Sequence, residues 1–111
     1  MEINIKDLGD GIAVVHLAGR LNMVTAVQLR EVVAAAVAEG HPRLAIDLSK
    51  VDFIDSSGLG ALISGLKTAR QAGGDLRIAA PNEQVKLVLQ LTNMERVLTA
   101  YESAESAFTN G

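Results

Sequence analysis

The sequence has no cysteine and no tryptophan, only two prolines, and aromatic side chains at 3% of its 111 positions. Without cysteine there is no disulfide framework and no thiolate chemistry. With so few aromatics the core is expected to be aliphatic, built from Val, Leu, Ile and Ala. Long apolar runs are missing too. The longest, Val32 to Ala38, falls far short of the ~20 residues that span a bilayer. The opening MEINIKDLGD alternates polar and apolar residues and lacks the basic-then-apolar order of a signal peptide. An excess of positive charge is also lacking. The net charge is −3 and the Lys and Arg residues are scattered, so nucleic acid is not an expected partner. No internal repeat, linker or low-complexity tract divides the chain, and its length suits one domain.

What is present is a regular alternation of patterns. Residues 2–8 and 12–18 read as strands joined by the turn Gly9-Asp10-Gly11. A helix follows, with Ala26, Leu29, Val33, Ala36 and Val37 at helical spacing, Asn22 as N-cap and Gly40 as its stop. Leu44, Ile46 and Leu48 alternate as a strand that leads into VDFIDSSGLGALISGLKTA, where a second helix begins and ends near Gly73-Gly74. DLRIAA reads as a strand and Pro81-Asn82 opens a helix carrying Val85, Val88, Leu89 and Leu91, which Asn93 stops in a left-handed conformation. RVLTAY is expected to be a short strand, residues 102–109 a last helix, and the tail from about Ser103 to fray. This predicts a single α/β domain over 1–111, with a mixed, mostly parallel sheet of four to five strands covered by about four helices.

The second helix spends Gly58, Gly60 and Gly65 where alanine would be more stable by roughly 1 kcal/mol each. On a helical wheel Leu59, Leu62, Ile63 and Leu66 form the core stripe, and Ser57, Gly60, Ala61, Ser64, Gly65 and Thr68 lie opposite. Small residues there could admit another part of the same domain. The reading preferred from sequence is a smooth face on which a partner protein lies, in which case Gly65→Lys would stay folded and lose binding. Asp55, Ser56 and Ser57 stand at the helix start, at the carboxyl end of a parallel strand, where open α/β folds place their sites. Any of the three can cap the helix, at about 1 kcal/mol. A phosphate there would add about −1.5 to −2 charges. The helix N-terminus would tolerate that anion and a partner on an uncharged surface would not.

DLSKVDFIDSSGLGALI, together with the upstream VVHLAGRLNMVTA, resembles the STAS domains of bacterial anti-sigma factor antagonists, and the likeness extends over essentially the whole chain. The resemblance implies a small cytoplasmic protein, without enzymatic activity or cofactor, that binds an anti-sigma factor and so releases a sigma factor. That partner is often a GHKL-type serine protein kinase. In the family the kinase phosphorylates the first serine of the motif, here Ser56 rather than Ser57, and a PP2C-type phosphatase reverses it. Geometry alone does not choose between the two serines. The expected partner-binding residues are Asn22, Asp55, Ser56, Ser57, Gly58, Gly60, Ala61, Ser64, Gly65 and Thr68. Asn22 departs from the family, which usually carries Asp at that position in association with the kinase encounter; Asn still caps the first helix. STAS domains also serve as subunits of stressosome-type assemblies and lipid-transport ATPases, where the same helix would dock permanently.

Other chemistry has little support. IDSSGLG is not a nucleophile elbow, and Gly58-x-Gly60 lacks the rest of a phosphate-cradling fingerprint. His16 and His41 read as structural or solvated. Asp47, Asp52 and Asp55 are close in sequence but no fourth ligand for Mg²⁺ is evident.

Overall fold

Period-two alternation in the strand segments puts one set of aliphatic side chains on each face, and the structure shows how both faces are used. A computed structural model describes residues 1–108. Its elements are β1 (Glu2–Gly9), β2 (Ile12–Leu21), α1 (Met23–Ala38), β3 (Arg43–Ile54), α2 (Ser56–Gln71), β4 (Asp75–Ala79), α3 (Glu83–Leu91), a 3₁₀ turn (Met94–Arg96) and β5 (Ala100–Tyr101). The five strands form one sheet in sequence order, with β1 antiparallel to β2 and every later pair parallel.

The main core lies between the sheet and the helices. Ala13, Val15 and Leu17 of β2, Leu44, Ile46 and Leu48 of β3, and Leu76 and Ile78 of β4 face Leu29 and Val33 of α1, Leu62 and Leu66 of α2, and Val85 and Leu89 of α3. Irregularities in the β2–β3 pairing after His16 and after Gly19 shift the alternation, so that Val51 and Ile54 still enter this core. These shifts let β3 continue well past Leu48, which simple alternation does not show.

Asn22 caps α1 as expected, accepting from the backbone N–H of Val24 and Thr25, while the Thr25 hydroxyl accepts from Asn22 N–H. Asn93 takes the expected left-handed conformation after α3.

Three expectations need correction. RVLTAY yields only the two-residue β5, because the 3₁₀ turn at Met94–Arg96 consumes its start. The expected last helix is a run of turns through residue 108, and Thr109 lies outside the described residues. In the described part of the tail, Ala104, Ala107 and Phe108 are buried against Val14, Ala45 and Ala79 on the second face of the sheet. Arg77 secures them, donating to the Ala107 carbonyl at 2.7 Å and stacking on the Phe108 ring at 4.4 Å. The basic residues are not all scattered either, since Arg43, Arg70 and Arg77 border one groove there. Asp75 pairs with both Arg70 and Arg77, so the groove is not a bare cationic patch.

Further along the second face, His16 Nδ1 lies 2.7 Å from Asp47 Oδ2. Burial opposes the Asp47 charge, but hydrogen bonds from the Ser49 backbone and hydroxyl and from His16 outweigh it and hold the carboxyl below its ordinary value. A carboxylate lowered in the folded state contributes stability above its unfolded pKa, about 3.9. That contribution is lost as the pH falls through the folded value. Asp47→Asn is therefore expected to lower stability at neutral pH and to flatten the acid limb of the stability profile. Urea midpoints measured from neutrality into acid check this; coincident profiles for the two proteins would overturn it.

Candidate functional site at the start of the second helix

β2 and β3 are parallel neighbours, so the helices that follow them begin side by side. Leu21 pairs with Ile54, and the Leu21 carbonyl accepts from Asp55 N–H at 3.2 Å. Asp55 then caps α2, its carboxylate accepting from Gly58 N–H at 2.8 Å. The cap is thus filled by the aspartate. Ser56 is exposed and Ser57 half-buried, and among the described residues neither hydroxyl makes a hydrogen bond.

The end of β3 is held from the far side by α3. The Gln84 amide accepts from Ile54 N–H at 3.0 Å and donates to the Ile54 carbonyl, while Asn82 donates to the Val51 carbonyl. These contacts fix the strand that delivers Asp55 and Ser56. No local signal in the sequence points to them, because Gln84 lies 30 residues from its partner.

Much of the face opposite the leucine stripe is turned inward. Ala61 is fully buried, Gly58 and Gly65 are buried as well, and Ser57, Gly60, Ser64 and Thr68 are partly exposed. The Thr68 hydroxyl turns back to donate to the Ser64 carbonyl. The cause is α1, which packs beside α2 while the sheet lies beneath it. The buried arc of α2 therefore faces both neighbours and is wider than a single stripe. A Cβ on Gly65 would sit 2.9 Å from Leu76 Cδ1 and 3.4 Å from Val33 Cγ1, and one on Gly58 would strike the Leu21 carbonyl oxygen. The close approach that these glycines allow is intramolecular. At Gly60 only the Arg30 guanidinium comes near, at 3.5 Å. Ile63, expected in the core stripe, is only partly buried.

Apolar surface appears instead on α1. Met23 and Val24 are each 71% exposed and Val27 56% exposed. They occupy the first turns of a helix that starts beside Ser56. The smooth surface expected on α2 does not include these three, although the absence of charge at 23, 24 and 27 is legible in the sequence. Beside the helix starts, Arg20 stacks on Phe53 at 4.3 Å.

The carboxylates do not converge. Asp47 is engaged by His16, Asp55 caps α2 and Asp52 is exposed. Among the described residues no three His, Asp or Glu side chains are grouped to hold a metal ion. His16 pairs with Asp47 and His41 with Asp7, so each histidine is engaged by a carboxylate. No helix among the described residues is long and apolar enough to cross a membrane.

Residues 6–107 match the STAS domain family. A Thermotoga maritima protein named as an anti-sigma factor antagonist is 36% identical over 69 residues, 62% of this chain; the match spans 61% of that relative, less than two thirds of its length. BtrV of Bordetella bronchiseptica, named in the same class, is 31% identical over 98 residues, covering 88% of this chain and 84% of that protein. The crystal structure of an anti-sigma factor antagonist from Mycobacterium paratuberculosis superposes with a TM-score of 0.84 at 30% identity, covering 97% of this chain and 91% of that one. Bacillus SpoIIAA shares the fold in its unphosphorylated and phosphorylated forms, with TM-scores of 0.80 and 0.74 at 19% and 17% identity. With the match running from the opening hairpin to the segment that closes the second face of the sheet, the chain belongs to the STAS domain family.

Proposed function

We propose that this chain is an anti-sigma factor antagonist. It binds an anti-sigma factor that is itself a GHKL-type serine kinase, and phosphorylation of Ser56 ends the complex until a PP2C-type phosphatase removes the phosphate. The observation that carries this reading is an exposed serine hydroxyl with no hydrogen-bond partner among the described residues, at a helix start adjacent to that of α1, whose first turns leave three apolar side chains exposed. A serine that served as the cap would be tied to the helix; here Asp55 has that task. The contact surface comprises Met23, Val24 and Val27 with Ser56, Ser57, Gly60 and Ser64, bordered by Asn22 and Asp55. Gly58, Ala61 and Gly65 shape it from within, by letting α1 and β2 lie close. Thr68, half-buried one turn beyond Ser64, marks its far end.

The chemistry on this side is limited to offering a hydroxyl. A phosphate on Ser56, the first residue of α2, would meet the favourable end of the helix dipole and the unfavourable Asp55 carboxylate. The fold should tolerate it, while an apolar partner surface would have to desolvate the new charge.

Incubation with labelled ATP and the kinase tests the reading. Label is expected on the wild type and on Ser57→Ala, none on Ser56→Ala, and none on any of them without the kinase. Ser56→Ala should melt with the wild type, within about 0.5 kcal/mol, because the lost hydroxyl is exposed and has no hydrogen-bond partner among the described residues. Label on Ser56→Ala, or autophosphorylation, would overturn the assignment. A complex that survives full phosphorylation would instead favour a permanently docked assembly subunit.

A further inference from the structure

β1 is the open edge of the sheet, and its sequence is complementary to itself. In the order β1-β2-β3-β4-β5 each outer strand leaves one row of backbone N–H and C=O groups unpaired. β5 limits that exposure by being two residues long. β1 has eight residues and no proline, and all of them but Ile3 are exposed. A long exposed edge of this kind is a template for another strand.

The register of a second strand follows from the side chains. Ile3 and Ile5 stand opposite Leu17 and Val15 on the helix-covered face, while Glu2, Asn4 and Lys6 stand on the other. Ile5 is 50% exposed although Val15 beside it is fully buried, because the helices cover β2 and stop short of β1. Glu2 and Lys6 have no ion-pair partner among the described residues.

In an antiparallel pair, residues directly opposite each other share a face. A two-fold axis at Asn4 then sets Glu2 against Lys6 of the second copy, Ile3 against its Ile5, and the reverse of each. An axis at Ile5 would set Ile3 against Asp7 and Glu2 against Leu8, and an axis at Ile3 would leave Lys6 unpaired. Of these three registers only the one centred on Asn4 joins apolar to apolar and acid to base on both sides of the axis, with Asn4 meeting its own copy at the centre.

We propose that β1 pairs antiparallel with β1 of a second copy about an axis at Asn4, joining the two sheets into one. The contact is small and its ion pairs are exposed, so the dimer is weak and salt-sensitive. The carboxyl ends of β2 and β3 point in opposite directions in the two copies, leaving both Ser56 sites free. Self-association is thereby independent of the proposed phosphorylation.

Sedimentation equilibrium of the whole chain tests this across a range of protein concentration at low and high salt. Reversible dimerisation that weakens with salt is expected. Glu2→Lys and Lys6→Glu should each weaken it by about tenfold or more, since each puts like charges opposite one another twice per dimer. An equimolar mixture of the two variants should recover the wild-type association, each supplying the charge that the other needs. Lys67→Glu, on an exposed turn of α2, and Ser56→Asp should change nothing. A chain that stays monomeric at every concentration overturns the proposal and leaves the edge to a strand from a different protein. Variants that dimerise like the wild type, or a mixture that fails to associate, also overturn it.

Discussion

Gly65→Lys is expected to abolish folding, while Gly60→Ala, less than two turns away on the same helix, leaves the protein as stable or slightly more so. At Gly65 even a Cβ would press on Leu76 Cδ1 and touch Val33, and Leu76 is itself buried at 2% exposed. Overpacking of this kind costs typically 1–3 kcal/mol. A lysine adds an ammonium with no acidic partner in an aliphatic core, at several kcal/mol more. Against a total stability on the order of 5–15 kcal/mol, that sum removes most or all of the folded state. Gly60 meets only the flexible end of Arg30, so alanine there recovers up to about 1 kcal/mol of helix propensity. Circular dichroism melts of the two variants check both halves. A Gly65→Lys protein that melts with the wild type would show that Gly65 does not lie against Leu76 and Val33 as described.

Val24→Asp is expected to leave the fold intact and weaken binding of the anti-sigma factor by about 30-fold or more. Val24 is 71% exposed, so the free protein loses little by the change. In the proposed complex its side chain is one of the three apolar contacts, and charging a buried anchor costs about 2 kcal/mol or more. Phosphate on Ser56 should act in the same direction and more strongly, with its larger charge at the neighbouring helix start. Calorimetric titration of the cognate anti-sigma factor with wild type, Val24→Asp, phosphorylated protein and Lys67→Ala as a surface control separates these effects. If Val24→Asp binds like the wild type, the partner does not lie on the first turns of α1.

The strand–helix alternation, the helix stops and the motif are legible in the order of residues. These are local properties. Period-two and helical spacing are written in neighbouring residues, and an N-cap such as Asn22 or Asp55 acts within three residues of itself. The free serines beside Asp55 could also be located from sequence, although which residue filled the cap could not. Which way the small residues of α2 face depends on how the helices are packed together. The wheel finds the stripe that meets the sheet, but it holds no information on a helix brought alongside by two parallel strands. For that reason Ala61 and Gly65, expected on an open face, are buried, while Met23, Val24 and Val27 in the first turns of α1, on which no expectation fell, are exposed. The same limit hid the hold of Gln84 on Ile54 and the packing of Phe108 on the second face. Each joins residues some thirty or more positions apart, and such pairings arise from the order of strands in the sheet rather than from any local pattern.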